Sequence, residues 1–330
     1  MKLLTIGDVH AVIPELDDCS KLIDYIVGIA QNNKVDRVLF LGDLYHFHRV
    51  IHSEILYFWR TVFDRMKAAN IDVASLIGNH DKSSEQESNP EIHALLAHKE
   101  QIQVIDKPWT DSGITYLPYY SDKQAFIDDA KANINKTSTL ICHASFEGSK
   151  FNDGYFDPHG ISPLFIRQEN VIAGHVHLPF KFDKIQHIGA PRWRTLTDAN
   201  SDRAIWLFEF DSNGHILNKT PFSTNDVCRQ IKYVKDTELE PFNLNLFDPK
   251  HSWCVDIEGS STYLEKRKKE LQRPGLKIHC IKTDKVRSAV RESDGIKTAF
   301  KKFTYNFIPK YGTPNDKLFE LAKERLELND

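Results

Sequence analysis

Lys2-Leu3-Leu4-Thr5-Ile6 runs directly into Gly7-Asp8-Val9-His10, and this junction governs the reading of the whole chain. Five mostly apolar residues have the length and composition of a strand, and the glycine and polar residues that follow end it abruptly. The same event recurs four times. Arg37–Leu41 leads into Gly42-Asp43, Ile71–Ile77 into Gly78-Asn79-His80-Asp81, Ser138–Cys142 into His143, and Asn170–Ala173 into Gly174-His175-Val176-His177. Between the first two runs, Leu16, Cys19, Leu22/Ile23, Ile26/Val27 and Ala30 recur at helical spacing; between the next two, Ile55, Phe58/Trp59, Val62/Phe63, Met66 and Ala69 do so. Strand–helix–strand alternation implies parallel pairing with helices covering the sheet. Phe180–Phe182, Gln186–Ile188 and Ala204–Phe210 lie closer together and read as hairpin-type strands. An α/β half thus passes into a β-rich half, which predicts a layered sandwich around two central sheets.

In parallel α/β sheets, ligands bind beyond the carboxyl ends of the strands. The five junctions place two Asp, one Asn and five His there: Asp8, His10, Asp43, Asn79, His80, His143, His175 and His177. Any one fragment is common, since a Gly-Asp after a strand is usually a turn and a His-x-His usually an ordinary strand feature. All five in this order at strand ends point to a site. Carboxylate, amide and imidazole donors without thiolate suit Mn, Fe, Zn or Co, and the sequence does not choose among them. The set is too large for one tetrahedral zinc but suits two ions sharing a bridge. Two metals ~3.5–4 Å apart clamp a phosphoryl group and stabilise both attacking and leaving oxygens. Phosphate-ester hydrolysis is among the slowest uncatalysed reactions, so it demands that much charge stabilisation.

These motifs resemble those of the calcineurin-like metallophosphoesterases, with every signature present and in order. The resemblance implies an α/β fold of four layers, α/β/β/α, with a small C-terminal α/β capping domain. It implies Asp8, His10, Asp43 and His177 around one metal and Asp43, Asn79, His143 and His175 around the other, with Asp43 as the bridge. His80 then stands beside the metals as the donor that protonates the leaving oxygen, and Asp81 occupies the motif position that orients it. Protein phosphatases carry an Asp-Arg-Gly cluster, and purple acid phosphatases a Tyr at the position of His46, where this chain reads Gly42-Asp43-Leu44-Tyr45-His46-Phe47-His48-Arg49. That segment is similar instead to the SbcD-type double-strand-break repair nucleases. Gly160–Asp211, with its Gly189-Ala190-Pro191 turn and Asp198–Arg203 before an aromatic strand, looks most like their phage recombination-endonuclease members.

That subfamily implies a double-strand 3′→5′ exonuclease with single-strand endonuclease activity in DNA recombination and repair. It also implies two divalent ions, Mn2+ foremost with Mg2+, Fe2+, Zn2+ or Co2+ as alternatives, an SMC-type (SbcC-like) ATPase partner and a homodimer. His46 would sit beside the scissile phosphate, and Arg49 matches the position of a DNA contact, although Val50-Ile51 stand where the family has Pro-Ser. The remaining histidines, His48 and His52 among them, receive no role. Two rivals are a phosphodiesterase acting on small nucleotides, which has no use for a basic segment, and a non-catalytic DNA-binding scaffold, which has no use for the donor set.

The rest of the chain is consistent with this reading. At 330 residues and 41% hydrophobic, with no low-complexity tract, it is long and apolar enough to bury a core. No apolar run approaches the ~20 residues of a membrane span, and Leu3–Ile6 is too short for a signal peptide. The five cysteines (Cys19, Cys142, Cys228, Cys254, Cys280) are widely spaced without a C-x-x-C pair, which suits reduced thiols and a cytoplasmic location. The net charge of −3 conceals an asymmetry: Ser260–Lys310 carries 14 Lys/Arg against 5 Asp/Glu, leaving −12 for the remainder. A local excess of that size is an electrostatic footprint for a polyanion, with Lys266, Arg267, Lys268 and Lys269 its densest cluster. Composition changes after Thr224, and Trp253–Ile257, Tyr263–Leu271 and Leu276–Ile281 read strand–helix–strand. Thr313-Pro314-Asn315-Asp316 starts a helix with a cap, a Pro and an acid. The expected domains are therefore a nuclease domain over 1–224, a capping and DNA-binding α/β domain over 225–310, and a helix over 311–330 that docks the ATPase.

Overall fold

The computed structural model describes residues 1–132, 137–152, 155–236, 248, 250–272 and 276–282. They fall into two compact units that divide after Ile231. In the first, β1 (Lys2–Ile6), α1 (Leu16–Asn33), β2 (Arg37–Phe40), α2 (Ser53–Ala68), β3 (Val73–Leu76) and β4 (Gln103–Ile105) form successive parallel crossovers. The chain then builds a second sheet from β5 (Trp109–Asp111), β6 (Ile114–Leu117), α3 (Lys123–Ala132) and β7 (Thr139–His143). A short hairpin, β8 (Lys150–Asn152) and β9 (Tyr155–Phe156), precedes β10 (Asn170–Gly174), β11 (Phe180–Phe182) and β12 (Ile185–His187). Two long antiparallel strands, β13 (Ala204–Phe210) and β14 (Ile216–Ser223), return to the first sheet beside β1. The orders are β14-β13-β1-β2-β3-β4 and β11-β12-β10-β7-β6-β5.

Side-chain alternation sorts residues into layers. Leu4, Ile6, Val38 and Phe40 point outward and pack on Leu22, Ile26, Trp59 and Phe63 of α1 and α2. Leu3, Leu39 and Leu41 point inward and meet Tyr116, Ile141 and Ile172 of the facing sheet. Leu140, Val171 and Ala173 on the far side receive Phe126, Ile127 and Ala130 of α3. The result is the expected α/β/β/α stack. Each buried aliphatic or aromatic side chain contributes about 1.5–3 kcal/mol, so the stack is held chiefly by these three apolar seams.

Local signals explain the boundaries. α1 carries Asp17 and Asp18 in its first turn and ends where Lys34 adopts φ 50, a left-handed stop. α2 ends on Arg65 and Lys67, which complement its C-terminal dipole. β14 carries Pro221, which an edge strand tolerates because no second neighbour needs its amide. Thr224 still belongs to the first unit, its hydroxyl donating to the Pro191 carbonyl at 2.6 Å, as does Arg229, whose amide donates to Asp18 at 2.7 Å.

The second unit is a three-stranded sheet, β15 (Ile231–Lys235), β16 (Ser252–Gly259) and β17 (Leu276–Lys282), with α4 (Ser261–Leu271) as the crossover between the parallel β16 and β17. Val255, Ile257, Leu264 and Leu271 form its core. The part of the basic segment beyond Lys282, and the helix expected over 311–330, lie outside the described residues. No described helix is long and apolar enough to cross a membrane.

Trp59 is fully buried, edge-on to Phe40 at 5.7 Å and stacked on Phe63 at 5.5 Å. Trp59→Ala should destabilise the first unit by about 3–5 kcal/mol, measured as a shift in its denaturant midpoint; a shift well under half of that would show that α2 packs more loosely than described.

Candidate metal centre

The five polar junctions converge where the carboxyl ends of β1, β2 and β3 meet those of β7 and β10. Three strands belong to one sheet and two to the other. The donors therefore line the seam between two facing sheets rather than one sheet edge.

Around that seam the side chains form two groups that share one atom. His10 Nε2 lies 2.9 Å from His177 Nε2 and 3.4 Å from Asp43 Oδ2. On the other side, His143 Nε2 lies 3.5 Å from the same Asp43 oxygen, 2.9 Å from Asn79 Oδ1 and 3.3 Å from His175 Nδ1. His175 Nδ1 is itself 2.9 Å from Asn79 Oδ1. Asp8, His10 and His177 are spaced to hold an ion, and so are Asp43, His143 and His175. Donor atoms bound to one ion at ~2.0–2.2 Å stand roughly 3 Å apart, which these separations match. Asp8 Oδ2 is buried without a hydrogen-bond partner. Such an orphaned carboxylate oxygen is costly unless an ion or water satisfies it.

Backbone geometry aims the donors. His10, Asp43 and His175 have φ of 48°, 53° and 77°, a left-handed region in which Asp and His are enriched but still disfavoured. Gly42 (φ 103°) and Gly78 allow the loops to close up: a Cβ on Gly78 would lie 2.1 Å from Asp43 Oδ1. His143 Nδ1 donates to the Leu41 carbonyl at 2.7 Å, which leaves Nε2 as the lone-pair face toward the seam.

The electrostatics are those of donors without a counter-charge. Burial pushes the Asp8 carboxyl up to about 7, against the pull of the His175 amide. Asp43 is driven well up by burial and by the neighbouring Asp8 and Asp81. Burial and mutual repulsion push the imidazoles the other way, His175 and His177 to about 4 and His10 and His143 well below the usual range. A cation stabilises both kinds of donor in the form that binds it.

His80 stands beside this seam. Its Nδ1 donates to the His46 carbonyl at 2.6 Å, and its ring meets His10 edge-on at 4.6 Å. Two further rings lie nearly parallel to it, His46 at 5.5 Å and 7° and His48 at 4.5 Å and 20°. Asp81 does not orient His80. Its carboxylate instead accepts the amides of Asp43 (2.8 Å), Gly78 (2.9 Å) and Tyr45 (3.1 Å), because it points back beneath the β2 loop rather than toward the ring. The orienting group for His80 is the His46 carbonyl.

Several residues near the centre carried no role in the sequence reading. His48 packs against His80. Arg192 donates to the carbonyls of Val9 (2.8 Å) and His10 (2.9 Å), and Arg194 also donates to the His10 carbonyl. Arg203 donates to the His177 carbonyl and pairs with Asp198 at 3.0 Å. Tyr119 stacks on His175 at 6.1 Å. The signal for the arginines lies in Gly189–Arg203, where Gly189-Ala190-Pro191 marks a turn and Asp198–Arg203 precedes an aromatic strand, without either pointing to cations behind the donors. Of the expected DNA contacts, Arg49, Lys266, Lys268 and Lys269 are exposed. Arg267 differs, since Asp236 and Glu270 occupy its guanidinium at 2.8 and 3.0 Å.

The profile of calcineurin-like phosphoesterases matches residues 1–179, just over half of the chain and all of the junctions described above. The chain belongs to that family. As a calcineurin-like phosphoesterase it is a hydrolase of phosphoesters, and the two donor groups are its candidate divalent-metal sites. It is 26% identical over 249 residues to "Exonuclease subunit 1" of Enterobacteria phage T4, covering 71% of each protein. Among solved structures it is similar to the phosphoesterase YfcE of E. coli (14% identity, TM-score 0.31, covering 67% of this chain and 98% of that one). It is also similar to the nuclease MPE of Pseudomonas putida (17%, 0.30, 67% and 87%) and to a 5′-nucleotidase precursor of Thermus thermophilus (12%, 0.37, 68% and 54%).

The pKa directions specify a binding signature for this phosphoesterase. The Asp8 carboxyl, pushed up to about 7, holds its proton on a large share of molecules at pH 7, and Asp43 is driven in the same direction, whereas the lowered imidazoles are already neutral. Loading the metal-free protein with Mn2+ should release on the order of one proton per chain, read by calorimetry in buffers of different ionisation enthalpy. Heats independent of the buffer would contradict the carboxyl assignment.

Proposed function

We propose that this phosphoesterase is a divalent-metal-dependent deoxyribonuclease, a double-strand 3′→5′ exonuclease with single-strand endonuclease activity. In this reading it serves recombination and repair, works as a homodimer with an SMC-type ATPase subunit, and uses Mn2+. The observation that carries the hydrolytic part is Asp43 Oδ2, at 3.4 and 3.5 Å from the histidines of two donor groups, with His80 beside it. Asp8, His10, Asp43 and His177 would hold one ion and Asp43, Asn79, His143 and His175 the other. When bound, the pair supplies neutralisation of the phosphoryl oxygens and activation of water at neutral pH.

The chain's own groups do the rest. His80, its Nδ1 anchored on the His46 carbonyl, presents Nε2 to the leaving sugar oxygen and, in its protonated form, transfers a proton to it as the P–O bond breaks. His46 lines the same face and positions the phosphate. Asp81 holds the loops that carry Asp43 and His80 in register. The likeness to the phage T4 exonuclease subunit supports a DNA substrate and a multi-subunit setting, and exposed Lys266, Lys268 and Lys269 offer a surface for phosphates.

Purified protein with Mn2+ should degrade linear duplex DNA as well as bis-p-nitrophenyl phosphate; hydrolysis of the small diester alone would favour a small-nucleotide phosphodiesterase. His80→Asn should lower the rate on DNA roughly 100-fold or more but cost far less on bis-p-nitrophenyl phosphate, whose leaving group departs without a proton. Equal losses on both substrates would remove His80 from the role of acid. Reversing Lys266, Lys268 and Lys269 to Glu should flatten the salt dependence of DNA affinity, by ~0.9 in log–log slope for each phosphate these side chains neutralise. An unchanged slope would take α4 out of the interface.

A further inference from the structure

The loop that carries His46 continues outward as Phe47-His48-Arg49-Val50-Ile51-His52. It turns three large apolar side chains into solvent within five residues: Phe47 is 47% exposed, Val50 58% and Ile51 44%. Apolar side chains at that density on one loop mark an interaction surface. Phe47 is held at the rim of the catalytic face, its ring edge-on to His46 at 4.9 Å and to His52 at 5.9 Å. His46 in turn lies 5.5 Å from His80. The aromatic ring is therefore two ring contacts from the group assigned to the leaving oxygen.

The chemistry of the occupant follows from what surrounds the ring. The same loop carries the exposed cation Arg49 two residues beyond Phe47, and His52 packs edge-on to the Phe47 ring. Cations beside an aromatic face are the arrangement that binds a single nucleotide, the cations taking the phosphate backbone and the ring taking the base. In a nucleic acid, one sugar joins the base to the phosphate being cut, so a base must lie beside any phosphate seated against His46 and His80. A small diester brings no such group. The aromatic member of this surface touches His46 directly, so whatever covers it lies beside a phosphate bound at the catalytic face.

We infer that Phe47, flanked by Val50 and Ile51, takes the face of the nucleobase next to the scissile phosphate, and that this contact favours nucleic acid over small phosphodiesters at the same metal centre. This rests on the deoxyribonuclease reading above. The test is a cycle of kcat/KM values on a short single-stranded oligonucleotide, with and without the base beside the cleaved bond, for the wild type, Phe47→Ala and Phe47→Trp. Removing the base should cost the wild type on the order of tenfold, mostly in KM. Phe47→Ala should lose a similar factor on the intact strand and almost nothing further on the abasic one, and Phe47→Trp should restore the difference. Equal losses on base removal in the wild type and Phe47→Ala would overturn the contact while leaving the nuclease reading intact. Failure of the wild type to cut any oligonucleotide, with bis-p-nitrophenyl phosphate still hydrolysed, would overturn the nuclease reading and the contact with it.

Discussion

Three backbone amides, those of Asp43, Tyr45 and Gly78, converge on the buried carboxylate of Asp81. The bonds tie the loop after β2 to the loop after β3, and the rest of the centre follows from them. Held in this way, Asp43 turns one carboxylate oxygen to the His80 amide at 2.8 Å and leaves the other facing the seam between the sheets. That second oxygen lies near both histidine groups. The acceptor beneath the loops does no chemistry itself; it prearranges donors so that little reorganisation is left for binding or turnover.

The same burial that fixes the geometry frustrates the charges. Carboxyls taken out of water are driven toward their neutral form and imidazoles away from their charged form, so neither group is satisfied by its neighbours. The arginines of the Gly189–Arg203 segment do not relieve this by pairing with the donors. Arg192 and Arg194 hold the carbonyl of His10, and Arg203 that of His177, from behind. They fix the backbone on which the imidazoles stand and leave the lone pairs pointing into the seam.

The legible parts of the sequence were those with a period or a sharp junction. The apolar stripes of α1 and α2 and the five strand ends carry strong local patterns, and the donors among them meet in space. Parallel strands that stop at Gly and polar residues announce both a sheet and its functional edge. The sequence could not show that the edge belongs to two sheets, because β7 and β10 look like β1 and β2 until their partners are known. β4 and β5 are three residues long, and α3 presents only Phe126, Ile127 and Ala130 to the core. Segments that short have no periodicity to read. The side-chain direction of Asp81 and the stacking of His48 on His80 are tertiary facts with no local signature. Arg267 is the converse case, a cation in a basic run that tertiary contacts with Asp236 draw out of the exposed set.

His10, Asp43 and His175 all sit at positive φ, a backbone setting that costs each about 1 kcal/mol or more relative to glycine. Three of the donors thus occupy positions where a side chain is disfavoured, and Gly or Asn would ease all three. A lineage bred for heat resistance alone, with no demand on turnover, would therefore drift toward those residues and shed its ligands one by one while the sandwich around them grew firmer. In this chain the awkward set is present, and the geometry it gives the donors is what the backbone strain is exchanged for.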